Sequence, residues 1–347
     1  ASAGWETPRH PGRLDVLGAL LFGLSLAGGL IALTLLGSGS IGETGLDPAT
    51  VTLVLAAISL AATIVAILRA MRTRDPFLDV RLFRRGAFAS AAVVSLLTGY
   101  AFATAIIGAA VFVDRVLYGG PDDQRLALGA LAGATAVGAL LSGFLVRIAS
   151  YRVITLAGLA LSVLGLGLMA RWAATTPIGT VALTLATFGL GFGLTVTPRS
   201  SAAIEAAGRG AFGAASSVVT VARMLGMAVG LAILTAYGST TIERLSAQIY
   251  ATPEGYLALI PAELRDRPLR DPLVVEALET WASREAASIM VGLFVAAAAV
   301  TVAAIPAALA LGGASGRRRT VGAEPGSIDD DPRMLARDGP PDVDFVL

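Results

Sequence analysis

The sequence contains no cysteine, which excludes disulfide frameworks, thiolate metal sites and cysteine nucleophiles together. Its single histidine, His10, precedes the first apolar run, and neither a catalytic triad nor a two-histidine metal site can be built from it. Lysine is also missing, so all 26 basic residues are arginine. Against 25 acidic residues they leave a net charge of +1, without the basic excess that draws nucleic acid. A Walker-type phosphate loop is absent, so ATP coupling within this chain is not expected. No cluster of histidines or carboxylates falls within the apolar runs, so neither a metal, a cofactor nor an enzymatic reaction is expected. What the chain has in abundance is apolar residues, 55% of 347 with only 15% charged, and a mean hydropathy of +0.75. These values describe a membrane protein rather than a soluble surface.

A helix needs about 20 apolar residues to cross a hydrocarbon core of about 30 Å. Eight runs qualify: Val16 to Leu36, Val51 to Leu68, Ala87 to Val113, Leu126 to Val146, Val153 to Ala170, Ile178 to Val196, Ala211 to Tyr237 and Ala286 to Leu311. None alternates with the period of a strand, which excludes a β-barrel. The fold class is therefore an all-α polytopic membrane protein whose partner is the lipid bilayer. The chain opens Ala1-Ser2-Ala3-Gly4 without a methionine, as expected of a trimmed N-terminus or of a piece of a longer protein.

Arginines near span ends are retained on the cytoplasmic side. Fifteen of them, including Arg69, Arg84, Arg147, Arg152, Arg199, Arg209 and Arg317 to Arg319, fall on one side, against Arg115, Arg125 and Arg171 opposite. Both ends are thus expected in the cytoplasm of a cell-membrane protein. Residues 238–285 form a long extracytoplasmic connection, in which Leu273, Ala277, Leu278 and Trp281 share one helical face. That pattern predicts a helix lying at the outer interface and feeding the last span, with a loop as the alternative. Residues 313–347 combine an arginine triplet with an acidic, Pro- and Gly-rich stretch and are expected to be a disordered cytoplasmic tail.

Arg13-Leu14-Asp15-Val16-Leu17-Gly18, Asp75-Pro76-Phe77-Leu78-Asp79-Val80-Arg81-Leu82-Phe83-Arg84-Arg85, Gly189-Leu190-Gly191-Phe192-Gly193-Leu194 with Pro198, and Gly213-Ala214-Ala215-Ser216 with Thr220, Arg223, Gly226 and Gly230 occur in that order. Together they resemble the fourteen-span drug and proton antiporters of the major facilitator superfamily, from the start of the seventh span to the fourteenth. The resemblance implies an extra helix pair over residues 1–86, a C-terminal six-helix bundle over 87–312, and six further spans in a missing N-terminal half. It also implies a small lipophilic substrate and protons as partners. Gly143 to Arg152 resembles the degenerate copy of the family's Asp-Arg loop, with Arg147 where an aspartate is expected. Thr220 and Met224 stand where Asn and Gln are common, and Asp114 stands where Gln is common.

An ionised side chain in hydrocarbon costs at least ~2.5 kcal/mol, so each needs a reason. Arg223 lies about 16 Å into its span by helical rise and is the first candidate for transport or coupling; locking neighbouring helices is its alternative role. Asp114, beside Arg115 at a span end, is either a proton acceptor or an interfacial cap, and Glu205 reads as a charged loop neighbour. No acidic residue is placed at mid-membrane, so the proton carrier is expected outside this chain. Gly189, Gly191, Gly193, Gly213, Gly226 and Gly230 are candidates for close packing or gating. Tyr100, Phe188 and Thr220 are candidate cavity contacts, and Gly143, Arg147 and Arg152 form the candidate cytoplasmic loop motif. The expected function is proton-coupled efflux of drugs or other lipophilic compounds, this chain being the C-terminal part. The alternative is a non-transporting membrane scaffold or a degenerate half-transporter.

Overall fold

A computed structural model describes residues 15–38, 48–73, 80–208, 212–250, 257, 259–268 and 270–311. The expectations for the tail 313–347, for Arg13 and for residues 74–79 of the loop motif lie outside these. Among the described residues every regular element is helical: α1 Val16–Ser38, α2 Pro48–Arg72, α3 Gly86–Arg115, α4 Pro121–Leu145, α5 Tyr151–Met169, α6 Ile178–Ala207, α7 Phe212–Tyr250 and α8 Pro272–Leu309, with short 3-10 turns at Val80–Arg84 and Ala262–Leu264. All eight long helices are long and apolar enough to cross a membrane. Hydrocarbon leaves no water for unpaired backbone groups, which is why such runs become helices. Several buried hydroxyls fold back onto their own helices for the same reason: Ser95 donates to the Ala91 carbonyl, Thr104 to Tyr100 and Thr301 to Ala297.

Starts are marked by local chemistry. Ser150 accepts from the Val153 N–H at the head of α5, and Pro121 and Pro272 occupy first-turn positions, where a missing N–H costs nothing. Asp271 caps α8 by accepting from the Leu273 N–H at 3.0 Å and pairs with Arg267 at 3.0 Å. The Leu273 N–H first, and then Arg267, hold its carboxyl below the ordinary aspartate range.

Two boundaries differ from the sequence expectation. The connection expected over 238–285 is largely helical, because α7 continues to Tyr250 and α8 begins at Pro272. The segment around Trp281 is helical, as its pattern predicts, and it feeds the last span as the start of one 38-residue helix. On it Val274 and Ser283 are buried, whereas Leu273 is exposed. The second difference is α6, which runs past Pro198 to Ala207 instead of ending at Val196.

α6 lies between α4 and α5, α3 packs on α6, α7 and α8, and α1 packs on α2 and α7. The larger core gathers Phe112, Leu131, Leu166, Met169, Leu185 and Phe294 around Trp172. The Trp172 ring centroid lies 4.8 Å from that of Phe112 and 5.1 Å from that of Phe294, and its indole N–H donates to Thr184 Oγ1 at 3.1 Å. A second cluster joins Phe88, Leu159, Ala203, Ala215 and Ala304.

Close approach of backbones is most severe between α3 and α7. A Cβ at Gly226 would overlap the Leu96 carbonyl, and one at Gly230 would lie 2.8 Å from the Tyr100 oxygen. One turn on, Gly99 of α3 receives the Arg223 carbonyl in the same manner. Side chains there would force the helices apart, the arrangement that small residues four apart allow.

Candidate functional site

Phe188, Phe192, Thr195 and Arg199 recur at i, i+4, i+7 and i+11 of α6, one face of a helix, and all four are buried. Arg199 is the largest fully buried side chain among the described residues, 1% exposed. This corrects its assignment to a cytoplasmic loop. The helix continues through it because α3 covers that face, so a stretch that reads as polar is internal. Its guanidinium donates to Thr98 Oγ1 on α3 and lies 5.3 Å from the centroid of the Phe192 ring, a cation–π distance. Arg199 Nε has no hydrogen-bond partner, and among the described residues no carboxylate pairs with Arg199.

Arg223 stands on α7 with its main chain against Gly99, so Thr98 and Gly99 of α3 touch one arginine each. Its side chain is half-buried. Two guanidinium groups without an acid among the described residues define this site. Arginine keeps its proton and supplies only donors. The pair can hold a carboxylate or order water, and it cannot itself carry a proton across a membrane.

Phe102 of α3 stacks on Phe192 with centroids 4.4 Å apart, and on Phe188 at 6.5 Å, so the aromatic slab continues from the arginine toward the centre of the bundle. Phe188 and Tyr100 are buried. Thr220 binds its own helix at the Ser216 carbonyl, and Met224 is exposed. Asp114 pairs with Arg115 at 2.9 Å, and its side chain is 52% exposed, the environment of an interfacial cap.

Glu205 lies within α6 rather than in a loop and accepts from the Tyr151 hydroxyl at 2.5 Å. Arg152 donates to the Leu309 carbonyl at the end of α8, and Arg147 is exposed. Gly189 and Gly193 press on Leu131 and Thr135 of α4, and Gly191 on Gly158 and Ser162 of α5, whereas Gly143 and Gly213 face open space. A second charged site was not legible in the sequence: Asp15, with a side chain 4% exposed, pairs with Arg69 of α2 at 2.9 Å.

The class so defined is a polytopic helical membrane protein with an arginine site inside its bundle that no acid among the described residues compensates. No family model matches the chain. It is similar to the triacylglyceride transporter of Mycolicibacterium hassiacum, 34% identical over 255 residues that make up 70% of this chain and 47% of that protein. The corresponding transporter of Mycolicibacterium smegmatis is 29% identical over 306 residues, 84% of this chain and 52% of its own length. That of Mycobacterium tuberculosis is 30% identical over 258 residues, 70% of this chain and 48% of its own. The chain thus spans about half the length of the curated relatives it matches.

Proposed function

We propose that this chain is part of an integral membrane transporter of lipophilic compounds, with triacylglyceride-class neutral lipid as the substrate favoured over small drugs. The carrying observation is the similarity over 70% or more of the chain to proteins named for triacylglyceride transport. In this reading α3 to α8 form the second six-helix bundle of a major-facilitator transporter, and α1 and α2 are an inserted pair. Substrate moves as bundles rock about a shared path, without covalent change, and proton coupling relies on a carboxylate outside this chain. Residues 1 and 347 both face the cytoplasm, and the membrane is the cell membrane.

Single-cysteine labelling tests the orientation against a cysteine-free background. On intact cells an impermeant maleimide is expected to label position 120, ahead of α4, and to spare position 147, beyond its other end. Labelling at 147 with protection at 120 would invert the orientation.

Function is tested at Arg223. In the whole transporter, Arg223→Ala is expected to insert normally and to lose about 10- to 100-fold in lipid export, matching loss of a charge-assisted contact of ~1.5–3 kcal/mol. Arg223→Lys is expected to recover part of that loss. Unchanged export by a normally expressed Arg223→Ala protein would leave Arg223 with a packing role alone.

A further inference from the structure

Between α1, α2 and α7 runs a cavity of about 650 Å³, bounded by Phe22, Leu26, Leu30, Ile67, Phe83 and Leu225 among others. Phe22, Phe83 and Leu225 also line a second space of about 260 Å³ that continues between α3 and α7. The polar atoms along the first cavity are already satisfied. Ser25 donates to Thr63 Oγ1 at 2.5 Å, Thr63 to the Ser59 carbonyl at 2.8 Å, and Ser59 to the Ser25 carbonyl at 2.7 Å. Asp15, at one end, is occupied by Arg69 and by the Gly18 N–H. The walls therefore ask nothing of an occupant but hydrocarbon, and the volume falls within the usual range of ligand pockets.

Positive charge lies near the Asp15 end. Arg69 is partly exposed there, Arg72 ends α2, Arg81 reaches the Met71 carbonyl, and Arg84 adjoins the cavity-lining Phe83. Arg72, Arg81, Arg84 and Arg85 are exposed. The described residues 69–73 and 80–85 carry five arginines and no acidic residue. A dry slot whose mouth is basic complements an amphiphile with an anionic head. Basic pockets between helices at the cytoplasmic face are where anionic head groups bind.

We propose that this groove is a binding site for an anionic phospholipid, its phosphate held by Arg72, Arg81 and Arg84 and one acyl chain lying between α1, α2 and α7. Such a lipid fills the seam through which the α1–α2 pair meets α7. The site is separate from Arg199 and Arg223, and it stands whether or not the chain transports lipid.

The test is photolabelling of the purified protein in phosphatidylcholine nanodiscs, with phosphatidylglycerol or phosphatidylcholine carrying a diazirine on one acyl chain and labelled peptides mapped by mass spectrometry. Labelled phosphatidylglycerol is expected to mark residues 22–33 and 59–70, and glycerol 3-phosphate is expected not to displace it. The Arg72→Gln/Arg81→Gln/Arg84→Gln variant should bind roughly 100-fold more weakly, at roughly five-fold per arginine near an anionic head group. Leu26→Trp, which fills the slot and leaves the arginines in place, should reduce labelling as well. Equal labelling by phosphatidylcholine, displacement by glycerol 3-phosphate, or a groove left unlabelled because other chain covers it would each overturn the proposal. So would full labelling of both variants.

Discussion

Arg199→Met is expected to leave thermal stability unchanged or raised while lowering transport by about 10- to 100-fold. The two effects separate because the buried charge is a cost to folding and an asset to a charged site. Arg199 is 1% exposed, and among the described residues no acid offsets its charge. An apolar side chain of similar length removes the desolvation penalty, and replacing buried charges by packed hydrophobic residues is often neutral or stabilising. The partner left behind is not orphaned either, since Thr98 Oγ1 already donates to the Val94 carbonyl at 2.7 Å. The transport loss has the size of one charge-assisted hydrogen bond, ~1.5–3 kcal/mol. Unfolding melts of purified protein and a lipid-transfer assay read the two effects separately. A lower melting temperature with proportionate loss of transport would make Arg199 a structural anchor.

Gly226→Val is expected to have the largest effect on folding of any single substitution in the bundle. A Cβ carrying two methyl groups would be driven into the Leu96 carbonyl and the Tyr100 N–H. Those are backbone atoms that cannot rotate aside, so α3 and α7 must separate. Overpacking ordinarily costs about 1–3 kcal/mol, and a main-chain obstacle puts this site at the upper end or beyond. Separation also displaces Gly99 from the Arg223 carbonyl, so the arginine site is disturbed along with the packing. Gly213→Ala is the matched control: the same helix gains a methyl group where nothing lies within 4 Å, and no loss is expected. Equal melting curves for the two variants would contradict the α3–α7 contact.

The eight spans were legible because hydropathy sums over all faces of a helix, and hydrocarbon demands apolar residues on nearly all of them. That same summation hid Arg199. Pro198, Arg199, Ser200 and Ser201 read as the end of a span, whereas the covering of one face by α3 makes them interior. The signal available was the spacing of Phe188, Phe192 and Thr195 ahead of it on one face. Asp15 carried no such signal. Its partner Arg69 is 54 residues away, and an aspartate just before an apolar run reads as a helix start.

Glycine spacing pointed to Gly226 and Gly230, and both meet backbone. Gly213 belongs to the same motif yet faces open space, because facing depends on where α3 lies and not on the motif. The extension of α7 to Tyr250 was obscured because charged and polar residues continue a helix once it leaves hydrocarbon, whereas the start of α8 at Pro272 was legible in the face shared by Leu273, Ala277, Leu278 and Trp281.

The proposed function makes this chain one part of a lipid path that needs another part to work. It is tested by reconstituting the purified 347-residue chain into liposomes, alone and together with a co-expressed preceding half taken from a full-length relative. A proton gradient is imposed and the transfer of a fluorescent triacylglyceride is followed, with an uncoupler as control. Transfer is expected only when both parts are present, lost on adding uncoupler and strongly reduced by Arg223→Ala. Uncoupler-sensitive transfer by the 347-residue chain alone would show instead that this chain forms a complete path by itself.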